Sequence, residues 1–542
     1  MRHFCPFFSK HAKAVVALFF LALLLVGLFT VGDYGSAWDD WSEMRILRMA
    51  LREYDALLPW DTPLGQTLSE MGIERLSESA ERDHGICLYY PLFWAVGNAS
   101  LSLQSLTFIW RCYTWLLFTL GLAALYAVAR RMGLSRGFAC LGALIVVLSP
   151  RFFAEGHYNN KDIPLMAITL VLLWQSARLM EKPTYARVPG FALAAGLCTG
   201  TRIIGGAYCL LFGGMIVCHL CATHRMNRRT IGVAACTAAL SLAFYILLTP
   251  CLLADPPGFI AYLLKNAVGF SRWHGNVLWF GSVIPCSQAK PPRLYLPVMI
   301  LLSTPLWALA LLAASVPLAV RRLRRAGRGL LGDPQGLLYL TAQLAWIVPL
   351  IALVALRALV YNGWRHVYFL YGPMALCMAG ALQALWRHSQ MRSRKALLAL
   401  CAALCLLSSA VGIAANHPHQ YAYWNALVPT QNRAERFELD WWNLSGVDAL
   451  KTLLAQTDGP VVVMASDAYS RSGLIMSSTL LNSERVIVAD TLEAHPGYLF
   501  SNLSYAFMSG FEPEADMEAA VTLSSYGAPV TVIYTLEGGN SQ

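Results

Sequence analysis

The sequence predicts an α-helical polytopic membrane protein of about eleven spans, closed by a small α/β domain on the outer side. Three observations predict it. Of the 542 residues, 57% are hydrophobic and only 13% charged, a balance that excludes an ordinary water-soluble chain. Crossing a hydrocarbon core takes roughly 20 apolar residues, and runs of that kind recur from the N-terminal region to residue 415. After residue 416 they give way to short β-branched runs separated by helical segments.

The spans are expected near 14–32, 105–129, 137–150, 162–180, 189–205, 206–222, 231–253, 295–320, 336–358, 367–386 and 396–415. Their orientation follows from Lys and Arg in the short connections, which favour the cytoplasmic side. One set of loops carries Lys10 and Lys13, Arg130, Arg131 and Arg136, Arg178, Lys182 and Arg187, Arg225, Arg228 and Arg229, Arg321 to Arg325, and Arg387 to Lys395. These are read as inner loops, so the N-terminus is expected in the cytoplasm. The opposite set comprises 33–104, 150–161, 254–294, 357–366 and everything after 416, and is longer and richer in aromatic residues. It is read as outer. The chain therefore divides into a membrane domain over 1–415, with outer loops 33–104 and 254–294, and an extracytoplasmic domain over 416–542.

The formal charge of +10 sits largely in the inner loops and calls for no nucleic-acid partner. Most of the fourteen cysteines lie within apolar spans, as small packing residues. Cys87, Cys251 and Cys286 lie in or beside outer loops, which leaves a Cys251–Cys286 bridge open. In the last domain Pro460–Met464, Arg485–Ala489 and Pro529–Tyr534 read as buried strands, with helical segments at 444–456 and 515–523 between them.

A charged side chain at mid-bilayer costs roughly 2.5 to 3.5 kcal/mol on insertion scales, so such residues belong at span ends or against protein. Asp39, Arg111, Lys161, Asp162, Arg202, Arg357, Arg365 and His366 all fall in the outer parts of their spans and are expected to meet in one outward-facing cavity. Snorkelling at the interface is the competing account for Arg111 and Arg357. Aspartate cannot snorkel far. That makes Asp39, Asp40 and Asp162 the stronger candidates for chemistry.

Asp39-Asp40, the segment from Ser149 to Pro164 and the segment from Tyr361 to Phe369 resemble the bacterial branch of glycosyltransferase family 39. These are relatives of the dolichyl-phosphate-mannose protein mannosyltransferases, with the GT-C architecture. The resemblance runs on through Asn416–Asn425 and Phe437–Trp442, and spans residues 10 to about 450. It implies a multi-pass enzyme of a bacterial inner membrane that takes a sugar from a polyprenyl phosphate and gives it to a glycolipid, polymer or protein on the outer side. Membrane lipids surround it. The family usually has an Asp-Glu pair in its first loop; Asp40 shortens the second carboxylate by one methylene.

Residue chemistry leads the same way. An acceptor hydroxyl attacking an anomeric carbon must lose its proton, and a positioned carboxylate contributes about 10² to 10⁴-fold by taking it. Asp39 is the expected base, with Asp40 and Asp162 as the further catalytic carboxylates. The leaving phosphate stays anionic and needs cations, for which Arg365, His366, Arg202, Lys161 and Arg151 stand on the expected face. A single displacement inverts the anomeric centre. No protein metal site is read: His157 is a lone histidine, and a divalent cation shared by Asp39, Asp162 and substrate phosphate stays open.

Aromatic residues in Ser271–Asn276 and Trp279–Gly281 suit an interfacial belt better than a sugar or acceptor groove. His417, Tyr421 and Asn425 are expected to pack on the membrane core. The rival class is a transporter or flippase for a lipid-linked or anionic substrate, but inverted repeats and charges in the inner halves of the spans are not evident. The first span is longer than a secretory apolar region, so an uncleaved anchor is expected. Terminal sequencing of the mature protein should find residues ahead of Trp38; Trp38 as the first residue would overturn that.

Overall fold

Backbone amides inside a bilayer must find partners within the protein, so membrane-embedded segments fold as helices and any break must be patched locally. The computed structural model describes residues 11–268, 273–514 and 516–536. Lys10, Ser271, Arg272 and residue 515 lie outside these. Among the described residues nine helices are long and apolar enough to cross a membrane: Ala12–Asp33, Leu103–Arg131, Asp162–Glu181, Ile204–Ala222, Arg228–Leu247, Leu306–Leu331, Pro334–Ala355, Arg365–His388 and Arg392–Ala415. The pair Arg136–Val147 and Pro150–Tyr158, bent by 74°, is long and apolar enough only when the two are taken together, and makes ten if counted as one span.

The expected eleventh span fails on length. Residues 189–205 form a helix, Val188–Thr201, of 14 residues, about 21 Å at the helical rise against a core of about 30 Å. The run 295–320 is also broken, into Tyr295–Ser303 and Leu306–Ala326, because Pro305 offers no amide hydrogen and disfavours helix in the residue before it. Asn425 patches this break. Its Nδ2 donates to Leu301 O at 2.7 Å and Thr304 O at 2.8 Å, and its backbone N–H to Leu302 O at 2.9 Å. Three carbonyls at a helix break are thus satisfied by one residue from beyond the last span.

The basic loops gather at one end of the bundle. Arg131 pairs with Glu181 at 3.1 Å, Arg225 donates to Glu181 O at 3.2 Å and Gln383 Nε2 donates to Gly133 O at 3.2 Å. Asp162 begins the helix that Glu181 ends, so the polar residues around Asp162 lie at the opposite end. By the rule that positive loops stay inside, the sequence expects the basic end in the cytoplasm.

Two long loops crown the other end. The first carries the helix Trp38–Asp55 and is tied to the end of a span where Tyr54 Oη donates to Leu247 O at 2.6 Å and Tyr90 Oη to Leu248 O at 2.9 Å. The second carries the helix Pro256–Val268 and an antiparallel hairpin of β1, Asn276–Trp279, and β2, Ser282–Pro285. Cys251 and Cys286 are both free thiols, so no bridge closes this loop.

The chain ends in a five-stranded mixed sheet of β3 (Val461–Ala465), β4 (Val486–Val488), β5 (Tyr498–Asn502), β6 (Ala519–Ser525) and β7 (Ala528–Thr535), in the order β4-β3-β5-β7-β6. β3 runs parallel to β4 and β5, whereas β7 is antiparallel to β5 and β6. Leu450 and Leu453 of the helix Ser445–Gln456 and Leu474 of Ala468–Leu481 pack on Val463, Phe500 and Ile533. The α/β character read from the sequence is present. The expected helix at 515–523 is not: its described part ends in β6, turned into β7 by Tyr526 and Gly527 with φ of 48° and 74°. Two positive φ values suit a tight hairpin, and pairing with β7 outweighs local helix propensity.

A buried arginine fixes the junction between the first span and the first outer helix. Arg111 gives Nε and Nη2 to Asp40 Oδ2 at 3.1 and 2.5 Å, Nη1 to Tyr34 O at 2.7 Å and Nη2 to Gly35 O at 2.5 Å. Arg111→Met should cost about 3 to 5 kcal/mol, because it strands the buried Asp40 carboxylate. The thermal unfolding midpoint in detergent is expected to drop clearly; an unchanged midpoint would show the pair to be dispensable.

Candidate active site

Consecutive helical residues point about 100° apart, and this alone separates the two aspartates. Ala37, in extended conformation, precedes the helix Trp38–Asp55. Asp40 turns into the protein to meet Arg111 and is fully buried. Burial pushes its carboxyl up, against the pull of Arg111. Asp39 turns the other way, its side chain 31% exposed, into a cavity of about 770 Å³.

Inside that cavity Arg365 Nη1 donates to Asp39 Oδ2 at 2.8 Å. The Arg365 guanidinium also lies 4.5 Å from the centre of the Trp442 ring, brought by the outer domain, and 5.7 Å from that of Tyr361. The second carboxylate is set by a turn. Asn159 Oδ1 accepts the backbone N–H of Asp162 at 2.9 Å, and Arg202 Nη2 donates to Asp162 Oδ1 at 2.5 Å. Lys161, one residue earlier, reaches His84 Nε2 with its Nζ at 2.6 Å. His366 completes the wall, its Nδ1 buried with no hydrogen-bond partner.

Asp39, Asp162, Lys161, Arg202, Arg365 and His366 therefore share one cavity, as their sequence positions suggested. Four other residues lie elsewhere. Asp40 and Arg111 pair with each other, and Arg357 is exposed just past the helix Pro334–Ala355. Arg151, expected among the phosphate ligands, is buried between the rings of Trp424 and Trp441 at 4.7 and 4.8 Å, and its Nε donates to Tyr423 O at 2.9 Å. The helix Pro150–Tyr158 directs it against the outer domain.

Two residues of the site escaped the sequence reading. Glu43, 3% exposed, lines the cavity one helical turn after Asp39, and the i, i+4 spacing of two carboxylates on one face was a readable signal. His84 comes from irregular chain and gave none. The two are linked, His84 Nε2 lying 2.5 Å from Glu43 Oε1 and Nδ1 3.1 Å from Glu81 Oε2. Burial drives Lys161 down to about 8 despite the attraction of Glu43. For His84 burial acts downward too, but Glu43 and Glu81 outweigh it and leave the imidazole raised.

Among the described residues no three His, Cys, Asp or Glu side chains are grouped to hold a metal ion. Asp39 and Asp162 each already face an arginine. His157 lies in the core, stacked on Trp115 at 4.3 Å, with Nε2 2.9 Å from Thr30 Oγ1. Of the second outer loop, Trp273 enters the cavity wall stacked on Tyr361 at 3.7 Å, whereas Trp279 packs on Tyr295 and Phe280 on Phe437. His417 meets Asp33 at 2.8 Å, and Tyr421 is buried beneath the outer domain.

No family model matches the chain, and no curated protein matches it. Among solved structures it is similar to ArnT from Cupriavidus metallidurans in the apo state, at 12% identity and a TM-score of 0.46 over 97% of this chain and 98% of that one. It is similar to the same protein bound to undecaprenyl phosphate at 13% identity and 0.44, over 98% and 100% of the two chains. The apo oligosaccharyltransferase of Archaeoglobus fulgidus is similar at 11% identity and 0.48, over 90% of this chain and 71% of that one. At such values no residue acquires a role from these likenesses.

Because Lys161 titrates at about 8, the cavity holds one more positive charge at neutral pH than in mild alkali. Binding of a simple anion such as sulfate in this cavity is expected to weaken as pH rises through 8, and this alkaline limb should vanish in Lys161→Met. Equal limbs in the two proteins would remove Lys161 from the anion site.

Proposed function

We propose that this protein is a membrane glycosyltransferase that moves a sugar from a polyprenyl-phosphate donor to an acceptor hydroxyl on the outer face of the cytoplasmic membrane. One observation carries the reading. A partly exposed carboxylate, Asp39, shares a cavity of about 770 Å³ with Arg365, Arg202 and Lys161 at one end of a bundle of apolar spans. Ligand sites commonly measure about 300 to 1,000 Å³. Part of the wall is apolar, through Leu248, Phe259, Leu263 and Leu353, and suits the first isoprenoid units of such a donor.

The chemistry balances without an added reagent. The acceptor oxygen forms a bond to the anomeric carbon as the bond from that carbon to the phosphate oxygen breaks. The hydroxyl proton passes to Asp39, and the lipid phosphate leaves as an anion beside Arg365, Arg202 and Lys161. Attack opposite the leaving group inverts the anomeric centre.

The resting ion pair gives this sequence an order. Without donor, Asp39 Oδ2 is engaged by Arg365 Nη1 at 2.8 Å. A donor phosphate draws on the same guanidinium, which presents several donors in a fork. Sharing Arg365 with the phosphate loosens its hold on Asp39 and leaves the carboxylate oxygen open to the acceptor hydroxyl. Asp162 keeps Arg202 at the opposite wall and acts by placement rather than by proton transfer.

Lipid mass spectrometry on cells carrying wild type, a deletion or Asp39→Asn tests this reading. One polyprenyl-phosphate sugar should accumulate in both mutants, and Asp39→Asn should lower turnover by about 10²-fold or more. Identical lipid profiles at normal protein levels would defeat the assignment.

A further inference from the structure

Lys161 carries a flexible four-carbon stem, and a lysine that is to meet a phosphate in a fixed place must be held there at the cost of its rotamer freedom. It starts from a residue just ahead of the helix Asp162–Glu181. Its Nζ meets His84 Nε2 at 2.6 Å, and the same Nε2 lies 2.5 Å from Glu43 Oε1. The other ring nitrogen lies 3.1 Å from Glu81 Oε2. His84 is largely buried, its side chain 16% exposed, and Glu43 is 3% exposed with its Oε2 lacking a hydrogen-bond partner.

An imidazole nitrogen carries either a lone pair or a proton, so Nε2 cannot serve both neighbours in one state. In the neutral ring with its proton on Nδ1, that proton goes to Glu81 and Nε2 accepts from the Lys161 ammonium. In the charged ring Nε2–H donates to Glu43 and has no lone pair to offer Lys161. Two cations then face each other at 2.6 Å.

We propose that His84 and Glu43 are positioning residues for the donor phosphate: neutral His84 holds the Lys161 ammonium in the cavity, and protonation transfers His84 to Glu43 and releases Lys161. The inference rests on the reading of Lys161 as a phosphate ligand. The charged groups facing the pair are Glu43 from the helix Trp38–Asp55, Glu81 from His84's own loop, and Lys161, Asp162 and Arg202 from the far wall. Burial acts downward on His84, but attraction by the glutamates outweighs it and moves the release upward from the usual histidine value. Donor affinity thus acquires an acid limit set by His84 beside the alkaline limit set by Lys161.

The test measures binding of undecaprenyl phosphate to the full-length protein in detergent, from the acid to the alkaline side of neutrality. Wild type should give a bell. His84→Leu, which removes both contacts, should weaken binding by about tenfold or more, the loss expected for one charge-assisted hydrogen bond. His84→Gln offers an amide oxygen to Lys161 and an amide N–H to Glu43 at once. It should restore affinity and lose the acid limb, a rescue that a merely structural role would not produce. Glu43→Gln should move the acid limb to lower pH. Wild-type affinity in His84→Leu alongside a loss in Lys161→Met would overturn the inference and leave the phosphate reading standing. Wild-type affinity in both Lys161→Met and Arg365→Met would overturn that reading itself. An acid limb that persists in His84→Gln assigns it to another group and also overturns the inference.

Discussion

The direction in which Asp39 and Glu43 point is decided by a guanidinium that touches neither. Arg111 spends its donors on two backbone carbonyls, Tyr34 O and Gly35 O, and on the carboxylate of Asp40. The first two fix the path by which the first span turns into the outer helix, and the third fixes the rotation of that helix about its axis. With Asp40 held inward, the helical repeat leaves Asp39 and Glu43 one turn apart on the cavity face. The pair is weak evidence for stability in itself, since desolvating two charges consumes most of their attraction. Its specificity lies in geometry, because one rigid planar guanidinium meets Asp40 Oδ2, Tyr34 O and Gly35 O at once and so fixes the segments it joins.

The region after residue 415 belongs to the same construction. Asn425 satisfies the carbonyls opened at Pro305, just ahead of the span Leu306–Leu331. Trp442 covers the Arg365 guanidinium, while Trp424 and Trp441 enclose Arg151. Rings over a cation weaken its hydration without neutralising it. Arg365 therefore meets Asp39 from a preset position with little solvent between them. The region that looks appended in the primary structure thus backs one of the cavity's arginines from behind, through Trp442.

The cavity balances charge within itself: Asp39 against Arg365, Asp162 against Arg202, Glu43 against His84. Each pairing lowers the cost of keeping ions in a poorly hydrated place. Each is also one that an incoming anion or proton redistributes. Lys161 stands between two such pairs, and its low affinity for protons follows from burial that nearby carboxylates only partly offset.

How much was legible in advance depended on the range of the interaction responsible. Hydrophobic length and charge placement are local, so most spans could be read directly, whereas of the eight residues expected in one cavity six share it and Arg111 and Arg357 do not. The carboxylate at Glu43 was legible too, by its helical spacing from Asp39. Span 189–205 and helix 515–523 misled, the first because composition conceals where a helix stops and the second because a strand partner lies outside any local window. His84 could not be read, since its place depends on where an irregular loop returns to the bundle. By itself the sequence determined a polytopic α-helical chain with ionisable groups gathered at one end and an α/β domain beyond residue 416. Only the tertiary structure decided that Asp39 faces the cavity while Asp40 does not, that Arg151 is enclosed by tryptophans, and that His84 joins Glu43 to Lys161. Those outcomes turn on helix rotation and long-range contacts, which no residue specifies alone.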